Sequence, residues 1–288
     1  MNTPHPKISI VTPSFNQGRF LETTICSILD QNYPNLEYIV MDGGSTDNSV
    51  EILRKYEKHF AYWQSEKDRG QNHALTEGFK HATGEIFAYL NSDDIYLPWT
   101  LATIANIFTH TPNVEWLTSR TTLVIDAANE PIMANHAIAH TRRRFYKGMT
   151  LGNVKESSGW IQQEATFWRR GLWGKAGARM EESLYLAGDF ELWARFYQHA
   201  ELVTTLVPLA AFRLHSSNKT QLNEYIRVAK TILARYPRER QDPSRSLKNW
   251  KWLDRFARGK PPPDGSRHCW VSYDPEQKTW QYHSIFIR

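Results

Sequence analysis

Asn91-Ser92-Asp93-Asp94 sets two carboxylates and an amide oxygen on neighbouring positions, directly after the apolar run Glu85 to Leu90. Hard oxygen donors of this kind suit Mg²⁺ or Mn²⁺, which are commonly held by one or two carboxylates while substrate phosphates complete the shell. The same residues would also make an Asx-turn followed by a helix cap. Asp42 ends a second apolar run, Leu36 to Met41. A carboxylate there can accept from a ribose hydroxyl or a base N–H, or can serve a solvated turn. Asp189, within Leu186-Ala-Gly-Asp-Phe-Glu-Leu-Trp193, stands where a helix starts and is either an N-cap or a general base. His136 and His140 are four residues apart, but no third ligand is evident, so a solvent-facing pair is expected. Templates for other chemistries are missing. There is no P-loop, no Gly-x-Ser-x-Gly and no His-Glu-x-x-His, and no Gly-x-Gly-x-x-Gly precedes Asp42, which argues against NAD.

These residues need elements to position them. Lys7 to Thr12, Leu36 to Met41, Ala61 to Gln64 and Glu85 to Leu90 read as strands. Amphipathic helices lie between them, carrying Leu21, Ile25, Ile28 and Leu29, then Val50, Leu53 and Tyr56, then Ala74, Leu75, Gly78, Phe79 and Ala82. Strand and helix in alternation imply βαβ units and a mainly parallel sheet covered on both faces. Such sheets bind ligands beyond the carboxyl ends of their strands. The polar clusters Pro13 to Asn16, Asp42 to Asp47 and Asn91 to Asp94 fall at those ends and should converge on one crevice. Farther on, Trp116 to Ser119, Leu123 to Asp126, Ile161 to Trp168, Glu201 to Leu206 and Leu209 to Leu214 read as strands, with Arg142-Arg143-Arg144 as an interruption. A helix is expected over Asp189 to Tyr197 and another from near Asn218. Residues 270–273 and 279–287, flanking Asp274 to Lys278, suggest a terminal β-hairpin.

Eight segments appear in order along residues 7–220: Ile10-Val-Thr-Pro-Ser-Phe-Asn16, Val40-Met-Asp-Gly-Gly-Ser-Thr-Asp47, Ser65-Glu-Lys-Asp-Arg-Gly70, Ala82-Thr-Gly-Glu85, Leu90-Asn-Ser-Asp-Asp94, Gln162-Gln-Glu-Ala-Thr-Phe-Trp-Arg169, Ala187-Gly-Asp-Phe-Glu-Leu-Trp193 and Phe212-Arg-Leu-His-Ser-Ser-Asn-Lys-Thr220. Together they resemble an inverting family 2 glycosyltransferase of the GT-A fold, in a branch with Leu-Asn-Ser-Asp-Asp in place of the D-x-D motif. The resemblance implies a Rossmann-like catalytic domain over residues 1–218. Its nucleotide-binding half is about 7–115 and its acceptor half about 116–218; residues 219–288, set apart by their charge and not by the resemblance, are expected to form a basic helical extension ending in the hairpin. It implies transfer of a sugar from a UDP, dTDP or GDP sugar to a saccharide or lipid-linked acceptor, in cell-surface polysaccharide or glycoconjugate synthesis. Thr12, Pro13, Phe15, Asn16, Asp42, Asp68, Arg69, Asn91 and Ser92 would bind the nucleotide sugar. Asp93 and His215 would hold Mg²⁺ or Mn²⁺, with Asp94 and Gln163 in support, and Asp189 would be the catalytic base. His73 and Thr76 stand where that branch carries Asp and Asn, which bears on donor specificity. The competing readings are a nucleotide-sugar binding module without turnover, and a nucleotidyltransferase of related topology.

Composition is globular, with 41% apolar and 23% charged residues, and no run of 18 apolar residues is present to span a membrane. Neither a basic-then-apolar leader nor a disulfide framework is expected, since Cys26 and Cys269 stand far apart; a cytoplasmic protein fits. The net charge of +5 is uneven, because residues 219–268 carry 13 Lys and Arg against 5 Asp and Glu. Lys248, Lys251, Arg255 and Arg258 alternate there with Trp250, Trp252 and Phe256. This segment is either a solvated helical face packed through Ile226, Val228 and Leu233, or a patch that docks peripherally on an anionic membrane. Nucleic acid is not expected as a partner, because the rest of the chain is net negative.

Overall fold

The computed structural model describes residues 5–151, 159–216, 218, 221–236 and 267–286. The chain runs β1 (Ile8–Ser14), α1 (Gly18–Leu29), β2 (Leu36–Asp42), α2 (Ser49–Tyr56), β3 (Tyr62–Ser65), α3 (Gln71–His81), β4 (Ile86–Tyr89), β5 (Ile95–Tyr96), α4 (Thr100–His110) and β6 (Trp116–Ser119). It continues with β7 (Thr121–Ile125), β8 (Pro131–His136), α5 (Arg142–Tyr146), β9 (Thr166–Arg169), α6 (Arg170–Lys175), α7 (Gly188–Phe196), β10 (Val203–Thr205), β11 (Ala210–Arg213), α8 (Leu222–Leu233), β12 (Arg267–Asp274) and β13 (Thr279–Phe286).

Nine strands form the main sheet in the order β13-β12-β10-β6-β9-β4-β1-β2-β3. β1 is buried along its whole length and pairs in parallel with β2 on one side and β4 on the other. Its residues alternate between faces, as a pleated strand requires. Ile8 and Ile10 join a core with Leu21, Ile25 and Leu101, whereas Val11 joins Leu75, Phe79, Trp168 and Trp193 on the other face. Helices therefore cover both faces, and α3 lies so close that a Cβ on Gly78 would meet a Val11 methyl at 2.6 Å. The chain steps outward from β1 through β2 to β3 and then returns to the other side of β1 as β4, which opens a crevice at the strand ends. A four-stranded sheet, β5-β11-β7-β8, stands beside it.

The terminal hairpin is present, and β12 pairs in parallel with β10 (Val203 with Cys269), so it extends the main sheet. α8 packs through Ile226, Ala229 and Ile232, with Val228 and Leu233 at the margin. Lys248, Lys251, Trp250, Trp252, Arg255, Phe256 and Arg258 lie outside the described residues. Among those described, no helix is long and apolar enough to cross a membrane. Cys26 and Cys269 are both free.

Three expectations change. Arg142 to Tyr146 is a short helix, not an interruption, because the Thr141 hydroxyl accepts from the Arg144 amide and caps it. The strand expected over 161–168 begins only at Thr166, after a 3₁₀ turn at Gln163–Ala165. The solvent-facing His136/His140 pair is not formed. His136 ends the exposed strand β8, while His140 is fully buried and burial lowers its pKa to about 3. A spacing of four does not place side chains on one face when the first residue ends a strand.

Candidate active site

At the end of β4, the two aspartates have different surroundings. Asp94 is buried; one carboxylate oxygen accepts from the Arg213 amide (2.9 Å) and its carbonyl accepts from Thr24 Oγ1 (2.7 Å). Burial, with Asp93 and Glu164 nearby, pushes its carboxyl well above the usual range. It anchors the turn. Asp93 is the more open of the pair, with Oδ2 3.1 Å from His215 Nε2. Its carbonyl accepts from Arg213 Nε (2.6 Å), and His215 packs on Phe20 at 4.5 Å between ring centres. The carboxylate and imidazole form an oxygen–nitrogen donor pair. Among the described residues, no group of three His, Cys, Asp or Glu could close around an ion. A divalent ion held by this pair would have to take its remaining ligands from elsewhere, as Mg²⁺ does from substrate phosphates.

Asn91 has a structural reason to be an amide. Its Oδ1 accepts from Gln71 Nε2 (2.7 Å), while its Nδ2 donates to Gln163 Oε1 (2.9 Å). Gln163 in turn donates to the Tyr89 carbonyl at 2.6 Å. An aspartate at 91 has no donor for Gln163 and would add a charge beside Asp94.

On the side of the cleft formed by the β1 and β2 ends, the turns are tied to each other by their own side chains. Asp42 accepts from the Ser45 amide (2.9 Å), Ser45 Oγ (2.6 Å) and Ser65 Oγ (2.6 Å). Asn16, at φ 52°, accepts at Oδ1 from the Thr46 amide (2.8 Å) and donates its own amide to Ser45 Oγ (2.7 Å). Pro13, Phe15, Asp68, Asn91 and Ser92 line the cleft, and Phe15 is 59% exposed. Thr12, Asn16, Asp42, Arg69 and His215 are not among the lining residues. Thr12 is buried and accepts from the Tyr38 hydroxyl (3.1 Å), while Arg69 turns to an ion pair with Glu182 (2.7 Å). Lys67, which motif reading passed over, is the one Lys or Arg lining the cleft among the described residues. Thr76 accepts from the Met180 amide (3.0 Å) and donates to the Asn72 carbonyl (2.8 Å), so it ties α3 to the loop between α6 and α7. His73, partly buried, carries an Nδ1 without a partner among the described residues.

Asp189 sits in the first turn of α7. The capping position belongs to Ala187, at φ 61° and without a side-chain cap bond, so Asp189 is not the N-cap. The helix start is wedged against α3: a Cβ on Gly188 would collide with the Asn72 amide, which itself donates to the Glu181 (3.0 Å) and Leu184 (2.8 Å) carbonyls. Burial raises the Asp189 pKa, while bonds from the Phe190 amide and the Tyr225 hydroxyl act in the opposite direction. Tyr225 lies 3.0 and 3.1 Å from the two carboxylate oxygens. Glu164, also missed, is buried with its Oε1 unpartnered among the described residues, and burial, then Asp189 and Asp93, raise its pKa to about 7. The signal for Glu164 was its place in the segment Gln162 to Arg169, which carries part of the family resemblance; for Tyr225 there was none.

Asp93, Asp94, Gln163, Asp189 and Tyr225 all border one open cleft of about 780 Å³. Residues 9–164, more than half of the chain, match the family model for glycosyl transferase family 2. The chain is 38% identical over 94 residues to the putative teichuronic acid biosynthesis glycosyltransferase TuaG of Bacillus subtilis, a match covering 31% of this chain and 36% of that protein. Matches of this kind span only about a third of the length of several curated relatives, all described as glycosyltransferases. Among solved structures, residues 1–349 of S. aureus TarS with UDP-GlcNAc superpose with a TM-score of 0.60 at 18% identity, over 78% of this chain and 66% of that one. The mannosyltransferase PcManGT of Pyrobaculum calidifontis, in complex with GDP-Man and Mn²⁺, gives 0.56 at 21% identity, over 84% and 67%. At these identities the likeness is one of fold, and the fold is GT-A. By the extent of the family match, the chain belongs to glycosyl transferase family 2.

Proposed function

We propose that this protein transfers a sugar from a nucleoside-diphosphate sugar to an acceptor hydroxyl in one inverting displacement. The observation that carries the reading is the pairing of Asp93, from the end of β4, with Asp189, from the start of α7, on one cleft. Asp93 and His215 would hold a divalent ion, which when bound neutralises charge on the departing diphosphate. Residues Pro13 to Phe15 and Asp68 frame the donor side, with Lys67 adding positive charge. Asp189, its proton affinity raised by burial, takes the proton of the attacking hydroxyl as that oxygen bonds to the anomeric carbon. The carbon–phosphate oxygen bond breaks on the other side, and the nucleoside diphosphate leaves with the electron pair. No covalent nucleophile is needed.

The nucleotide side would occupy about 7–115 and the acceptor side about 116–218. The likeness to the putative teichuronic acid biosynthesis enzyme TuaG favours a cell-surface polymer as the acceptor, reached from the cytoplasm. The basic segment beyond α8 would be the part that meets an anionic membrane if the acceptor is lipid-linked.

The test is release of nucleoside diphosphate from UDP-GlcNAc, GDP-mannose and related donors, with and without Mn²⁺, and NMR of the product's anomeric configuration. Mn²⁺-dependent release with inversion is expected. Asp93→Ala is expected to abolish the Mn²⁺-dependent part of donor binding. Metal-independent binding unchanged by this substitution overturns the ion's place, and retention of configuration overturns the single displacement.

A further inference from the structure

We propose that Tyr225 is the positioning residue for the Asp189 carboxylate, so that helix α8, beyond the residues matching the family model, completes the active site. The inference rests on the reading of Asp189 as the base. The phenol hydroxyl lies 3.0 Å from Oδ1 and 3.1 Å from Oδ2, so its single proton spans both oxygens. Its place is set by packing at both ends. Ile226, Ala229 and Ile232 bury one face of α8 in the core. The Tyr225 ring meets Trp160 edge-on at 5.3 Å and Phe190 at 6.5 Å. Tyr225 also borders the cleft, beside the carboxylate it holds.

The remaining neighbours of Asp189 give the bond its purpose. Tyr89 on β4 and Glu164 on the Gln163–Ala165 turn are titratable groups that sense the Asp189 charge, and neither donates a hydrogen bond to it among those described. The amides at the start of α7 hold the carboxylate from its own helix. Tyr225 supplies the one side-chain donor among the described residues, from a different element. A bond to the charged form keeps a buried carboxylate ionised and ready to accept a proton. It also removes rotamer freedom, and a base aimed at the attacking hydroxyl gains rate from orientation. Once Asp189 has taken that proton on one oxygen, the phenol remains a donor to the other.

Tyr225→Phe deletes the hydroxyl and keeps the ring contacts, so unchanged melting verifies the fold. The substrate-free readout is a carboxyl ¹³C NMR titration of Asp-labelled protein, with Asp189→Asn identifying the signal. The Asp189 midpoint is expected to move to higher pH in Tyr225→Phe. With a sugar-nucleotide donor, kcat is expected to fall about tenfold while the donor KM holds, and the acidic limb of the kcat profile to move upward. An unmoved midpoint overturns the proposal. If Asp189→Asn turns over donor at the wild-type rate, the assignment of the base fails instead. An inactive Asp189→Asn beside a fully active Tyr225→Phe overturns the role of Tyr225 alone.

Discussion

The two sides of the cleft are built on opposite terms. On the side of the β1 and β2 turns, polar groups from neighbouring turns satisfy one another: Asp42 accepts three hydrogen bonds, and Asn16 and Asp47 stitch the two turns together. On the α7 side, carboxyl groups are buried, Glu164 with one oxygen unpartnered among the described residues and Asp189 held by Tyr225 and by amides of its own helix, and burial raises the pKa of both. The first region stores shape, which holds a ligand in register. The second stores proton affinity, which a base requires.

Substitutions at matched positions should separate these terms, because removing a carboxylate is expected to have opposite consequences on the two sides. Asp42→Ala leaves two hydroxyls and an amide without their acceptor, so it is expected to cost about 2–3 kcal/mol in denaturant unfolding and to weaken donor binding. Loss below about 0.5 kcal/mol would show that the turn does not depend on this carboxylate.

Glu164→Gln tests the other side. With a folded pKa of about 7, above the 4.5 expected when unfolded, the folded protein keeps a proton that the unfolded chain has released. Stability from this group is therefore full at low pH, is lost as pH rises through that window and stays lost above it. The glutamine variant should gain on the wild type by on the order of 2 kcal/mol between pH 5 and 7.5, and the gain should then level off. A difference in melting that does not vary with pH contradicts the buried, under-satisfied state of Glu164.

The smallest effect belongs to Arg69→Ala. Its ion pair with Glu182 joins exposed side chains, the arginine 68% accessible, so less than about 1 kcal/mol is expected. A larger loss of donor affinity than of stability would return Arg69 to the nucleotide side, where the family resemblance put it.

Legibility in the sequence follows the same division. β1 to β4 and their turns lie within a residue or two of their expected bounds, because strand periodicity and turn residues are local signals. Asp93 and Asp189 were readable from motifs. Tyr225 was not, since it meets Asp189 across 36 residues through the docking of a helix whose most visible property was its charge. Arg213 was equally hidden, reaching the Asp93 carbonyl across 120 residues. β8 escaped notice because every residue in it is exposed and no burial alternation marks it. The hairpin could be read from its turn, but its pairing with β10 could not, because strand order is a tertiary property.

In the proposed reaction Asp189 is the base, while other residues bind the donor. Calorimetry of donor binding and turnover, measured together on Asp189→Asn, tests this role most directly. Donor affinity is expected to stay within about twofold of wild type, with kcat reduced by about 10²-fold or more. Turnover near the wild-type rate in a variant with unchanged melting would contradict that role and reduce Asp189 to a packing residue at the start of α7.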